Sequence, residues 1–172
     1  MLFLKAAAVA PGVIVHELGH ATFCHLAGVP IRRIMLFRIG SPAGFVTHAL
    51  PPLLRQQVLI AFGPLLLNSA VGCLVMIAAW RVIGARVSWW WLPLAALLSW
   101  LGLSVLVESW PSSGDARALH QVTVRHLRSG NVGAVLALPV AWLLIAANWT
   151  RRVLGHWLYA AAFAWLARGL AL

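Results

Sequence analysis

The chain has 172 residues, of which 62% are hydrophobic and 9% charged, with a mean hydropathy of +0.90. Soluble domains carry roughly 25% charged residues, so this composition excludes an ordinary soluble domain and reads as an integral membrane protein. The formal net charge is +10, but the basic residues stand at the ends of apolar runs rather than along one polar face. That pattern predicts contact with anionic lipid head groups and excludes a nucleic-acid partner.

A membrane crossing needs about 20 apolar residues. The first candidate covers about residues 6–29. The apolar run between Lys5 and Pro11-Gly12 is too short for a signal-peptide core and continues beyond the glycine, so it reads as part of a retained span. Inside it stands His16-Glu17-Leu18-Gly19-His20. An ionisable group at the bilayer centre costs roughly 2.5–3.5 kcal/mol on insertion scales, which makes it a functional candidate. On a helix, His16 and His20 lie on one face, a turn apart, where two neutral imidazoles can share a metal ion. Glu17 projects about 100° away around the helix. From there it can serve a water at the metal without being a ligand, the arrangement of metal-assisted hydrolysis.

Residues 31–50 mix Arg32, Arg33 and Arg38 with Ile34, Leu36, Phe37 and Ile39. They then run through Gly40-Ser41-Pro42-Ala43-Gly44 into Phe45-Val46-Thr47-His48. A glycine-rich turn between β-prone runs predicts a hairpin. Its backbone cannot face lipid unpaired, so it belongs at the interface or against the bundle.

The second span covers about 56–80. Pro64 lies inside it and frees a carbonyl of its own helix. Asn68 follows, able to hydrogen-bond across helices or to take part in the site. The third span covers about 89–110, with Trp89-Trp90-Trp91 and Trp110 as interface anchors. Residues 116–128 predict a short amphipathic surface helix. A fourth span covers about 131–149 and a fifth segment 153–171. The expected fold is therefore an all-α polytopic membrane protein: one domain over 1–172, a bundle of four to five transmembrane helices, and a membrane-associated β-hairpin after the first. The core is 6–120, and 131–171 supplies one or two accessory spans.

Loop charges set the expected orientation. Arg32, Arg33, Arg38, Arg55, Arg117, Arg125, Arg128 and Arg168 fall on one side. Lys5, Arg81, Arg86, Arg151 and Arg152 fall on the other. The positive-inside rule places the first group in the cytosol and the N-terminus outside.

A catalytic zinc site needs three protein ligands. The acids of the chain are Glu17, Glu108 and Asp115. Asp115 is the first choice for the third ligand, because it comes from the same side of the membrane as the motif and follows a Pro-Ser-Ser-Gly stretch that can bend into the bundle. It is equally a good helix cap for the surface helix. Glu108 is the rival ligand, or else an interfacial residue paired with an arginine.

Three elements together resemble the site-2 proteases, zinc metallopeptidases that cleave transmembrane substrates within the bilayer. They are His16-Glu17-Leu18-Gly19-His20 in the first span, Gly63-Pro64…Asn68 in the second, and Pro111-Ser112-Ser113-Gly114-Asp115 after the third. The resemblance covers about residues 10–120. It implies one Zn2+ ion held by His16, His20 and Asp115, with Glu17 as catalytic base. It implies a membrane-spanning protein or peptide as substrate, with the active site facing the cytosol. A hairpin at Gly44, Phe45 and Val46 would then hold an unwound substrate by strand addition, with Asn68 also assigned to substrate binding. The chain departs from the family in Gly114-Asp115-Ala116, where Leu-Asp-Gly is usual. It also lacks the asparagine usual upstream of that aspartate, and it has no room for a PDZ domain between Arg81 and Ser88. Two other classes stay open: a non-catalytic protein that binds metal or a partner helix on the same fold, and a small transporter subunit. A regulatory partner or oligomer is likewise left open.

Overall fold

The computed structural model describes residues 2–85 and 89–171. Among these are six α-helices and one two-stranded sheet, in the order α1 (Leu2–Leu26), β1 (Ile31–Met35), β2 (Phe45–His48), α2 (Leu54–Gly84), α3 (Leu92–Val107), α4 (Ser113–Arg128), α5 (Leu138–Thr150) and α6 (Gly155–Ala171). Short 3-10 turns precede α3 and α5 and join α5 to α6. Three helical segments among the described residues are long and apolar enough to cross a membrane: Leu54–Gly84, Trp89–Val107 and Val132–Thr150.

Helices α1, α2 and α3 pack against one another. With so few polar side chains to spare, contacts between backbones and small side chains hold them. Gly19 of α1 lies directly on α2. A β-carbon there would come within 2.8 Å of the Pro64 Cα. Higher up, Gly12 donates its amide to Ser104 Oγ of α3 (3.0 Å). Asn68 of α2 donates to both the Gly12 and Val105 carbonyls, at 3.1 and 3.2 Å. Buried interhelical hydrogen bonds of this kind fix register where hydrophobicity alone cannot choose one.

Strands β1 and β2 pair antiparallel, with Met35 opposite Phe45 and Ile34 opposite Val46 and an irregularity between Ile31 and Arg33. The hairpin thus forms within residues 31–50 as its sequence predicts. It folds back on α1, where Ala49 donates to the Pro30 carbonyl.

Helix α3 stops early. Ser104 meets Gly12 and Glu108 meets His16, so α3 ends at the level of His16, well before α1 reaches Leu26. The space beneath is filled by α4 and α5. Ala116 and Leu119 of α4 cluster with Ala61 of α2 and with Ala141 and Leu144 of α5.

The accessory segment is a pair of helices that follow one another in the same direction. The start of α5 shares a groove with Leu54 and Val58 of α2, and its end meets Trp110 and Pro111. Helix α6 continues in the same direction along α2. Tyr159 bonds Ser69 (2.6 Å), Trp80 donates to the Ala164 carbonyl (3.0 Å), and Arg168 lies over the Trp80 ring. Helices α5 and α6 are therefore two halves of one broken rod parallel to α2. Together they have 13 and 17 residues against the 31 of α2. The break falls at Arg151–Leu154, where Leu154 takes a left-handed conformation (φ 68°). Val132–Thr150 is long and apolar enough by itself to cross a membrane and α6 is not among such segments; the contacts show the two helices running in one direction. In consequence Arg168 sits at the end of the bundle opposite the hairpin, not with it, and Arg151 sits between the two ends.

The contact at Gly19 can be tested by overpacking. Gly19→Val forces α1 away from Pro64 and is expected to cost about 1–3 kcal/mol. The check is a lower thermal midpoint of the detergent-solubilised protein, with helical content unchanged at low temperature.

Candidate metal centre

His16 and His20 lie one turn apart on α1, both buried, at 7% and 9% exposure. Their rings stand 5.0 Å apart and nearly perpendicular. Each uses Nδ1 on a backbone carbonyl: His16 on Glu108 O at 2.7 Å, and His20 on Ile60 O at 3.0 Å. A carbonyl only accepts, so both Nδ1 atoms carry the proton.

Both carbonyls are ones that a helix leaves unpaired. Ile60 lies four residues before Pro64, which has no amide hydrogen to give it. Glu108 follows the last residue of α3, where the carbonyls of a helix end lack partners. The proline and the helix end each supply one free acceptor, and each histidine takes one.

With Nδ1 committed, both Nε2 atoms turn to Asp115. His20 Nε2 lies 2.9 Å from Oδ1, and His16 Nε2 lies 3.5 Å from Oδ2. Asp115 occupies the first turn of α4, whose N-cap is Ser112. The Asp115 amide donates to Ser112 Oγ (3.1 Å), and its carboxylate accepts from the Ser112 amide (3.1 Å) and hydroxyl (2.6 Å). The sequence left Asp115 as either cap or ligand candidate. The fold has it complete a capping box and face both imidazoles at once.

One donor atom from each of His16, His20 and Asp115 lies within 4.8 Å of the others, so this group could hold a metal ion. Imidazoles whose other nitrogen donates to a carbonyl are what metal ligation uses, because the outer bond fixes the tautomer and the ring plane. Three electron-pair donors converging in a buried site call for a cation between them, and the residues fit one.

Glu17 is 7% exposed, and its Oε2 is buried without a hydrogen-bond partner. It borders the same cavity, about 630 Å³ in volume, as the three donors. Gly44 closes over it: a β-carbon at residue 44 would lie 2.7 Å from Glu17 Cγ and 2.9 Å from the Leu36 carbonyl. Phe45, Val46 and His48 of β2 also line the cavity.

One expectation is corrected, and of the two readings of Glu108 the pairing with an arginine is the one found. Asn68, assigned to substrate binding, is fully buried among α1, α2 and α3, where its Nδ2 donates to the Gly12 and Val105 carbonyls and its Oδ1 has no partner; it does not line the cavity. Glu108, the rival ligand, turns its carboxylate away to Arg151, whose Nη2 donates to Oε2 at 2.6 Å. Its backbone carbonyl, not its side chain, serves the centre. Arg151 itself borders the cavity and was not singled out in the sequence. The one pointer there was the presence of a third acid in an apolar region, which needs a cation.

No family model, no curated protein and no solved structure matches the chain.

The role of Pro64 is open to test. Pro64→Ala restores an amide that competes with His20 for the Ile60 carbonyl. Loss of such an outer bond typically lowers metal affinity by about 10–100-fold. Chelator competition on the purified variant is expected to show a weakening in that range, with circular dichroism unchanged.

Proposed function

We propose that the chain is a zinc-dependent intramembrane endopeptidase that hydrolyses peptide bonds of membrane-spanning proteins or peptides. The observation that carries this reading is the convergence of the His16 and His20 Nε2 atoms and the Asp115 carboxylate beside an unpartnered Glu17 carboxylate, within a bundle of apolar helices. The donor set suits zinc, which takes imidazole nitrogen and carboxylate oxygen readily. When bound, zinc supplies Lewis acidity that polarises a carbonyl and makes a neighbouring water acidic near neutral pH.

The remaining work falls to the chain. His16, His20 and Asp115 would hold the ion, oriented by the Glu108 and Ile60 carbonyls and by Ser112. Glu17 would take a proton from the attacking water at Oε2 and return it to the leaving amine. Its freedom from any hydrogen bond leaves that oxygen available. A helical substrate hides its carbonyls, so the scissile stretch must be extended. The backbone from Gly44 to Val46 runs along the cavity beside Glu17 and offers a strand edge to such a stretch.

The charge pattern supports a site toward the cytosol. Arg32, Arg33, Arg38, Arg55, Arg117, Arg125 and Arg128 lie in or near the hairpin end, with Lys5 in the first turns of α1, and Arg81 and Arg168, at the opposite one. Arg86 lies outside the described residues. With Arg168 moved to the outer group and Arg151 to mid-height, the positive-inside rule still puts the hairpin end in the cytosol and the N-terminus outside.

The decisive comparison is wild type against Glu17→Gln, both in detergent, on a single-span substrate with zinc content measured in parallel. A positioned general base contributes about 10²–10⁴-fold. Cleavage is expected to fall in that range while zinc stays near one per chain. Undiminished cleavage by the variant refutes the role of Glu17. A zinc-loaded wild type that cuts no substrate favours a protein that only holds metal.

A further inference from the structure

The segment from Glu108 to Ser112 joins α3 to α4 and supports the centre twice: its Glu108 carbonyl orients His16, and its Ser112 amide and hydroxyl donate to the Asp115 carboxylate in the first turn of α4. Residues 108–112 are not helical. Connecting segments are the most mobile parts of a fold, whereas a metal ligand has to be held within about 0.5 Å of its working position. Something outside the segment must fix it.

The last turn of α5 and the residue after it provide three contacts. Arg151 Nη2 donates to Glu108 Oε2 at 2.6 Å, with both side chains mostly buried (26% and 17% exposed). Asn148 Nδ2 donates to the Pro111 carbonyl at 3.0 Å. Trp110 Nε1 donates to the Ala147 carbonyl at 2.7 Å. Residues 147, 148 and 151 share one helical face and meet Trp110, Pro111 and Glu108 respectively. Each is a polar contact in an apolar setting, where few alternative partners exist.

We infer that the C-terminal end of α5 is a clamp for the metal centre, with Arg151 and Asn148 as positioning residues that set the placement of His16 and Asp115 through the 108–112 segment. Neither touches the three donors. The break between α5 and α6 follows from this role. A continuous helix would bury its carbonyls and pass the segment by; ending α5 at this height leaves Arg151 at the helix terminus, free to turn toward Glu108. The inference rests on the metal-centre reading given above.

The test uses the full chain in detergent, with zinc and Co(II) as probes. Wild type is compared with Asn148→Ala, Arg151→Lys and the double variant Glu108→Gln/Arg151→Met. The double variant removes both charges together, since removing Arg151 alone would strand a buried carboxylate and endanger folding. Zinc affinity is read by chelator competition, and ligand geometry by the visible absorption of Co(II). Asn148→Ala and the double variant are expected to stay helical and monodisperse, to lose about tenfold or more in zinc affinity, and to shift the Co(II) bands. Arg151→Lys, which keeps the charge, is expected to restore a spectrum close to wild type. Folded variants with wild-type zinc affinity and an unchanged Co(II) spectrum overturn the clamp and leave the metal centre standing. A wild type that binds neither metal overturns the centre and the clamp with it.

Discussion

The organisation of this bundle depends on two backbone carbonyls that no helix satisfies. In an apolar interior an unpaired carbonyl is costly, and so is an unpaired imidazole. Here each cancels the other. Pro64 strips Ile60 of its helical partner and the end of α3 exposes Glu108, and the Nδ1 protons of His20 and His16 fill these two positions. Once that is done the rings have no rotational choice left. Their Nε2 atoms face Asp115, and the convergence of the three donors follows from hydrogen-bond accounting in the backbone.

The same economy governs the acids. There are three, and none is left on the surface as a free charge. Asp115 is held by a capping box and by two imidazoles. Glu108 is neutralised by Arg151. Glu17 alone has an oxygen without a partner. Three carboxylates in one small cavity wall are thereby given three different environments. Among the described residues the exposed charged groups are all cations.

Asn68 and Glu108 show how similar residues diverge once packing is settled. Both are polar groups in apolar helices near the site. Asn68 donates from Nδ2 to one carbonyl of α1 and one of α3, and so ties the three helices together away from the cavity. Glu108 contributes its carbonyl to His16 and its carboxylate to Arg151, and thereby ties the first helix to the fifth.

The amino-acid sequence by itself determined the helical class, the hairpin between residues 31 and 50, the pairing of His16 with His20, and the short set of acids from which a third donor could come. These follow from local rules: apolar length, turn chemistry, and helical spacing of side chains. It also showed that Pro64 frees a carbonyl, though not which group would use it. The tertiary structure alone decided that Asp115 faces the histidines while Glu108 pairs with Arg151, that Asn68 is interhelical, and that α5 and α6 run in one direction as a broken rod. Apolar length says how far a segment can reach but carries no direction, and a buried carboxylate takes whichever cation the packing brings within a few ångströms. Both are settled only when distant parts of the chain meet.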